Sequence, residues 1–178
     1  NSCPNCGIQI WLKDNQGNEF KGSNKEIFEK LAEELFKGKI VALKNTAGYL
    51  LMCDATNSEA VSELRKRKRR PTKPFAVLFS EISKMQEYLE ISELQIQHFK
   101  SSDSPIIVTK IKDKKDLVID EISPNMNSVG AMFPYSGTLK LISKTFGKPL
   151  IATSGNFHGS PICSTTEEAE QILGKIAD

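Results

Sequence analysis

The chain has 178 residues, 39% hydrophobic and 26% charged, which fits a single domain with a packed core and excludes wholesale disorder. Its 24 basic and 22 acidic residues exclude a generally basic nucleic-acid coat, yet seven of the nine residues from Arg65 to Lys73 are basic, leaving 17 against 22 for the rest. No run approaches the ~18–20 apolar residues that span a bilayer, and no signal-peptide core opens the chain, so a cytoplasmic protein without a membrane partner is expected.

The chain opens at Asn1 rather than Met, which predicts a fragment or a processed product. Cys3 and Cys6, in Cys-Pro-Asn-Cys-Gly, form a knuckle that can aim two thiolates at one zinc ion. A structural zinc site needs four ligands, so the expectation is half of a zinc finger; two free thiols are the alternative. Cys53 and Cys163 are read as ordinary reduced thiols. A polar stretch from Lys13 to Ser23 then reads as a link, so residues 1–22 are expected to be a zinc-finger remnant and residues 23–178 the main domain.

From Asn24 to Lys37, Ile27, Leu31 and Leu35 recur at helical spacing with Phe28, Ala32 and Phe36, and Gly38 is the stop. Ile40–Leu43 and Tyr49–Cys53 predict two strands around a turn at Asn45–Gly48. Ser58 is the expected cap of a second helix, which runs into the basic cluster and ends at Pro71. Phe75–Phe79 predicts a strand, Ser80 the cap of a helix holding Ile82, Met85 and Leu89, and Ser92 that of a short helix with Leu94 and Phe99. Ile106–Ile111, Leu117–Ile119, Val129–Phe133 and Leu150–Thr153 read as further strands. A helix with Leu139, Ile142 and Phe146 precedes the last of these, and Ser164 with Glu167 predicts a capping box for a final helix. Interleaved strands and helices without strict βαβ regularity give an α/β class, a single domain with a twisted mixed sheet flanked by helices.

Two segments carry the strongest chemistry. In Arg65-Lys66-Arg67-Lys68-Arg69-Arg70-Pro71, successive cations without interleaved acids repel one another, and an anionic ligand would relieve that crowding. Lys68 and Arg70 converge on one phosphate if the chain becomes extended before Pro71. After the apolar run Leu150-Ile151-Ala152, Thr153-Ser154-Gly155-Asn156 offers amides and small donors suited to phosphate oxygens. An exposed charged helix face and a plain polar turn are the structural alternatives. Lys44-Asn45-Thr46-Ala47-Gly48 is a third candidate turn. His98 reads as structural, and His158 as the histidine with access to a ligand. No Walker A loop and no G-x-S-x-G elbow occurs.

Together, Lys68-x-Arg70-Pro71 and Ser154-x-Asn156 resemble the signature of the YrdC-like superfamily. The strings Cys53-Asp54-Ala55-Thr56-Asn57, RKRRPTKPFAV from Arg67, the segment from Pro124 to Pro134 and PLIATSGN from Pro149 resemble the YrdC-like domain of the HypF family of hydrogenase-maturation carbamoyltransferases. The resemblance covers about Ile40 to Pro161. It also agrees with the knuckle, because that family places two four-cysteine zinc fingers before this domain and continues into a larger one after it.

The resemblance implies formation of carbamoyl-adenylate from carbamoyl phosphate and ATP with Mg²⁺, and later transfer to a HypE-type acceptor protein. Zinc is implied for the full-length protein and not for this fragment. Carried over by motif, Lys68 and Arg70 would hold the carbamate and the α-phosphate; Ser154 and Asn156, with Thr153, would bind phosphate oxygens; Lys44, Thr46 and Pro134 would complete the binding set. Family members commonly carry Lys-Gly-x-Gly-Gly-Phe-His where this chain has Lys44 to Leu50, so the turn departs from the pattern. Met132 stands where the threonylcarbamoyl branch usually carries arginine, which favours the HypF side. The competing expectations are a threonylcarbamoyl-adenylate synthase and a double-stranded RNA-binding module using the basic run.

Overall fold

The computed structural model describes Gly7, residues 9–46 and residues 48–178; Cys3 and Cys6 lie outside the described residues. The polar stretch after Trp11 carries a short antiparallel hairpin, β1 (Leu12–Lys13) and β2 (Glu19–Phe20), rather than a bare link. Two-residue strands are too short to leave an alternating pattern in the sequence.

Ser23 starts α1 (Asn24–Phe36) with a capping box: its hydroxyl accepts from the Glu26 N–H, and the Glu26 carboxylate accepts from the Ser23 N–H. Gly38, at φ +81°, turns the chain out of the helix. The chain then continues through β3 (Val41–Asn45), β4 (Gly48–Asp54), α2 (Ser58–Arg67), β5 (Ala76–Leu78), α3 (Ile82–Tyr88), α4 (Glu93–Lys100) and β6 (Ile107–Lys110). It ends with α5 (Ile119–Ile122), β7 (Ser128–Met132), α6 (Gly137–Phe146), β8 (Leu150–Ser154) and α7 (Thr166–Leu173).

Six strands form one mixed sheet in the order β3-β4-β8-β5-β7-β6, with β5 and β7 parallel and the other neighbours antiparallel. Alternation along β8 separates the two cores: Leu150 and Ala152 pack with α1 and α6, whereas Ile151 packs with α2, α5 and Val77. Continued to the strand's end, that alternation sends the side chains of Thr153 and Ser154 to opposite faces. Leu50 pairs with Ser154, and Asn45 pairs with Gly48, so the β3–β4 turn and the end of β8 share one edge of the fold.

Several local expectations are corrected. Asn57, not Ser58, caps α2, its carboxamide oxygen accepting from the Ala60 N–H at 2.9 Å. Ser80 does not cap α3, whose N-cap is Glu81 without a side-chain bond; the buried Ser80 instead accepts from Lys140 through its carbonyl. The cap of α7 is Thr165, accepting from the Glu168 N–H, one residue beyond the expected Ser164–Glu167 box. Leu117 and Val118 lead into helix α5 instead of forming a strand, because the Ile122 and Ser123 N–H groups close helical bonds to Val118 and Ile119.

Candidate functional site

Proline does not end α2. The helix closes on its own basic residues: the Arg69 N–H donates to Lys66 O and the Arg70 N–H to Arg65 O, the paired bonds of a Schellman turn. Arg69 therefore occupies the left-handed position usually taken by glycine, at φ +55°. The expected extended approach to Pro71 is replaced by this reversal, which aims Lys68 inward and Arg69 out to solvent.

Lys68, the C-cap, is fully buried. Its ammonium donates to Ser154 O at 2.5 Å, Asn156 O at 2.6 Å and Asn156 Oδ1 at 2.7 Å. Ser154 Oγ donates to the same Asn156 Oδ1 at 2.7 Å, and Asn156 Nδ2 donates to Ser160 O. The two segments singled out in the sequence thus form one hydrogen-bonded unit. All the acceptors on Lys68 are neutral, and no carboxylate pairs with it among the described residues. Burial, with the nearby charges of Arg70 and Lys73, pushes its pKa down to about 8, against a smaller opposing effect of Cys163.

Close backbone packing fixes the loop. Gly155 N–H donates to Tyr49 O at 2.7 Å, and a Cβ on Gly155 would stand 2.5 Å from the Tyr49 Cβ. Only glycine fits there. Cys163 N–H donates to Gly155 O and Cys163 O accepts from Tyr49 N–H, so residue 163 stitches the loop to β4. The His158 N–H caps Lys68 O at 3.2 Å, while the His158 side chain is exposed. Cys53 and Cys163 are both free and buried, and burial raises both thiols.

The other cations divide by role. Arg65 lies over the Phe75 ring and donates to the carbonyls of Arg70, Glu121 and Ile122. Arg67 pairs with Glu63 and Asp178, both at 2.8 Å. Acids do answer part of the run, contrary to the sequence-based expectation, because they come from the preceding helical turn and the far end of the chain. Arg70 donates to Lys73 O and Pro74 O and packs over Phe75, close enough to depress Lys68. Lys66, Arg69 and Lys73 remain exposed.

Thr153 is buried beside this unit on the opposite face from Ser154. Lys44 reaches Thr166 Oγ1 at 3.3 Å and stands over the Tyr49 ring, on the side of α7. Thr46 is exposed at the β3–β4 turn. Pro134 lines a separate hollow with Phe133, Tyr135, Ser136 and Lys140. Gly155 and Asn45 stand in the second and third segments singled out in the sequence; what that reading missed is the Tyr49 backbone that Gly155 meets. Among the described residues no cluster of His, Cys, Asp and Glu is placed to hold a metal, and no helix is long and apolar enough to cross a membrane.

Residues 33–178 match the profile of the Sua5/YciO/YrdC family, described as telomere recombination. The chain belongs to the Sua5/YciO/YrdC family. This family member is 36% identical over 170 residues to the carbamoyltransferase HypF of Synechocystis sp., covering 96% of this chain and 22% of that protein. It is 29% identical over 150 residues to the threonylcarbamoyl-AMP synthase of Vibrio parahaemolyticus, covering 83% of this chain and 81% of the synthase. A crystal structure of full-length HypF in a phosphate- and nucleotide-bound form superposes with a TM-score of 0.88 at 33% identity, covering 99% of this chain and 22% of that one. The chain therefore spans about a fifth of the length of the HypF relatives it matches. The mixed sheet flanked by helices is the YrdC-type domain, and carbamoyltransferases and threonylcarbamoyl-AMP synthases are its relatives.

Proposed function

We propose that this domain binds ATP with Mg²⁺ and forms carbamoyl-adenylate, using the carbamate derived from carbamoyl phosphate, as part of a HypF-type carbamoyltransferase in hydrogenase maturation. Water hydrolyses carbamoyl phosphate to carbamate and inorganic phosphate; a carbamate oxygen then attacks the α-phosphorus of ATP, the new O–P bond forms as the bond to the bridging α–β oxygen breaks, and pyrophosphate departs. Both reactants are anions, so the step needs fixed cations and donors rather than a protein nucleophile. Lys68 supplies the charge between the acyl oxygen and the α-phosphate, Arg70 adds to it, and Ser154 and Asn156 hold phosphate oxygens. The HypE-type acceptor and zinc belong to the longer enzyme in this reading.

The observation that supports it is Lys68, a fully buried ammonium held by three neutral oxygens. A buried cation without a counter-ion is costly, and an anionic ligand removes the cost. Carbamoyl-phosphate-dependent exchange between ATP and labelled pyrophosphate tests the reading on this chain. Exchange that needs threonine and bicarbonate instead would install the synthase reading, which the coverage of the Vibrio protein favours. Salt-sensitive RNA binding indifferent to Ser154→Ala, without any exchange, would leave only the basic surface.

A further inference from the structure

Pro71 and Pro74 bound a bend that cannot close its own backbone. Proline has no N–H, so the bond from residue 74 to the residue 71 carbonyl that would seal a β-turn is impossible. The carbonyls of Arg70, Pro71, Lys73 and Pro74 take arginine donors instead. Arg65 Nη1 donates to Arg70 O at 2.6 Å and to Pro71 O and Lys73 O, both at 3.2 Å. Arg70 Nε donates to the same Lys73 O at 3.1 Å, and Arg70 Nη2 to Pro74 O at 2.5 Å. Both guanidiniums also lie over the Phe75 ring, at 4.6 and 5.1 Å from its centre.

The other edge of Arg65 holds a second segment. Its Nε and Nη2 donate to Glu121 O at 3.0 and 2.6 Å, and Nη2 reaches Ile122 O at 3.3 Å. These carbonyls close α5, where the last turn has no donors of its own. All three nitrogens of Arg65 are therefore engaged with main-chain oxygens, whereas Arg70 Nη1 has no hydrogen-bond partner among the described residues. Arg70 lines a hollow with Ser62, Lys66 and Arg69, and no carboxylate lines it. A guanidinium suits the task at residue 65 because its five donors lie in one plane in fixed directions; three donors on a single lysine nitrogen cannot span both segments.

We propose that Arg65 is a positioning residue: by tying the bend at residues 71–74 to the end of α5, it fixes the direction in which Arg70 presents its guanidinium to an anionic ligand. Both ends of the Arg70 side chain are referred to it, because Arg70 O and the Lys73 O that takes Arg70 Nε each accept from Arg65 Nη1. Arg65 directs all its donors into the fold and keeps none for substrate. The inference rests on the part given to Arg70 in the adenylation reading above.

Pyrophosphate-exchange kinetics on the full chain test this with Arg65→Lys, Arg70→Ala and the double variant. Arg65→Lys keeps the charge and loses the fork. It is expected to slow exchange roughly tenfold in the wild-type background and to cost nothing further beside Arg70→Ala. A merely structural role would lower both backgrounds alike. In ¹⁵N-labelled protein, the Arg70 Nε–H should exchange with water slowly in the wild type and roughly tenfold faster in Arg65→Lys. Should Arg65→Lys not fold, magnesium-ATP added to the wild type gives a second measurement: it should shift the Arg70 guanidinium resonances and leave those of Arg65 in place. Equal losses in both backgrounds, unchanged Arg70 protection in Arg65→Lys, or ATP shifts at Arg65 as large as those at Arg70 overturn the proposal. If the wild type shows no carbamoyl-phosphate-dependent exchange, the adenylation reading fails and the positioning of Arg70 stands or falls on its Nε–H protection; if the wild type exchanges and folded Arg65→Lys matches it, this inference fails alone.

Discussion

Lys68 and Asn156 meet twice: one ammonium donates to the main-chain carbonyl of Asn156 at 2.6 Å and to its side-chain carbonyl at 2.7 Å. The side-chain oxygen also accepts from Ser154, so none of the three can move without disturbing the others. Groups tied this way act as a unit, and removing one member loses most of what the unit supplies. Lys68→Ala and Asn156→Ala are each expected to cost about 2–4 kcal/mol in the exchange reaction. The double variant should resemble the worse single one. A double-mutant cycle on exchange rates measures the coupling, and additive losses would separate Lys68 from Asn156.

The depressed Lys68 pKa makes stability and binding respond to pH in opposite senses. In the folded protein the ammonium loses its proton near about pH 8, whereas the unfolded chain keeps it to 10.5. Between these values the unfolded state holds the extra proton, so stability rises with pH, by ~3 kcal/mol across the window. An anionic ligand prefers the charged form, so its affinity should fall by up to about tenfold per pH unit above about pH 8. Chemical denaturation of wild type against Lys68→Met, from neutral pH upward, isolates this group from other titrating lysines. Ligand titration in buffers of differing ionisation enthalpy should register proton uptake near about pH 8.

Periodicity and motif spacing carried the fold a long way. The amphipathic spacing around Leu31 and Leu139, the apolar runs of β4 and β8, and the cap at Ser92 state local physics that the tertiary structure keeps. Cap positions were lost where several polar residues stand in a row, as at Asn57–Ser58 and Ser164–Thr165. Each hydroxyl or amide there is a competent cap, and the helix axis decides which N–H is free. The site was legible as two motifs and not as a geometry. No residue type announces that an arginine takes the left-handed turn at residue 69, because the bonds that close it, to Lys66 O and Arg65 O, are made by the backbone.

Gly155 should be among the least tolerant positions in the domain. Alanine would bring its Cβ to 2.5 Å from the Tyr49 Cβ and 2.8 Å from Tyr49 O, contacts that require β4 and the loop to part. Overpacking of this kind costs about 1–3 kcal/mol and disturbs the local backbone. The Lys68 acceptors lie on either side of residue 155, so Gly155→Ala should also raise the Lys68 pKa as its burial loosens. Thermal denaturation reads the first effect, and the pH profile of ligand binding reads the second. An unchanged midpoint would mean that the Tyr49–Gly155 approach does not limit how the loop packs on β4.

Arg69 offers the opposite case, a position where a residue is held at a cost. Its left-handed backbone, at φ +55°, disfavours an L side chain by ~1–2 kcal/mol, and glycine carries no such penalty. Against that gain stands the loss of its contact with the Phe157 ring, 5.5 Å from the guanidinium carbon, worth about 0.5–1 kcal/mol at an exposed site. Glycine's greater freedom in the unfolded chain subtracts further from the gain. The balance is a change of no more than about 1 kcal/mol in either direction for Arg69→Gly. Denaturant midpoints check it, and Gly38, at φ +81° in the equivalent turn after α1, is the internal control: Gly38→Arg should destabilise where Arg69→Gly does not. A clear loss of stability in Arg69→Gly would mean that the Phe157 contact, rather than the backbone, governs how the loop after Ser154 rests on the end of α2.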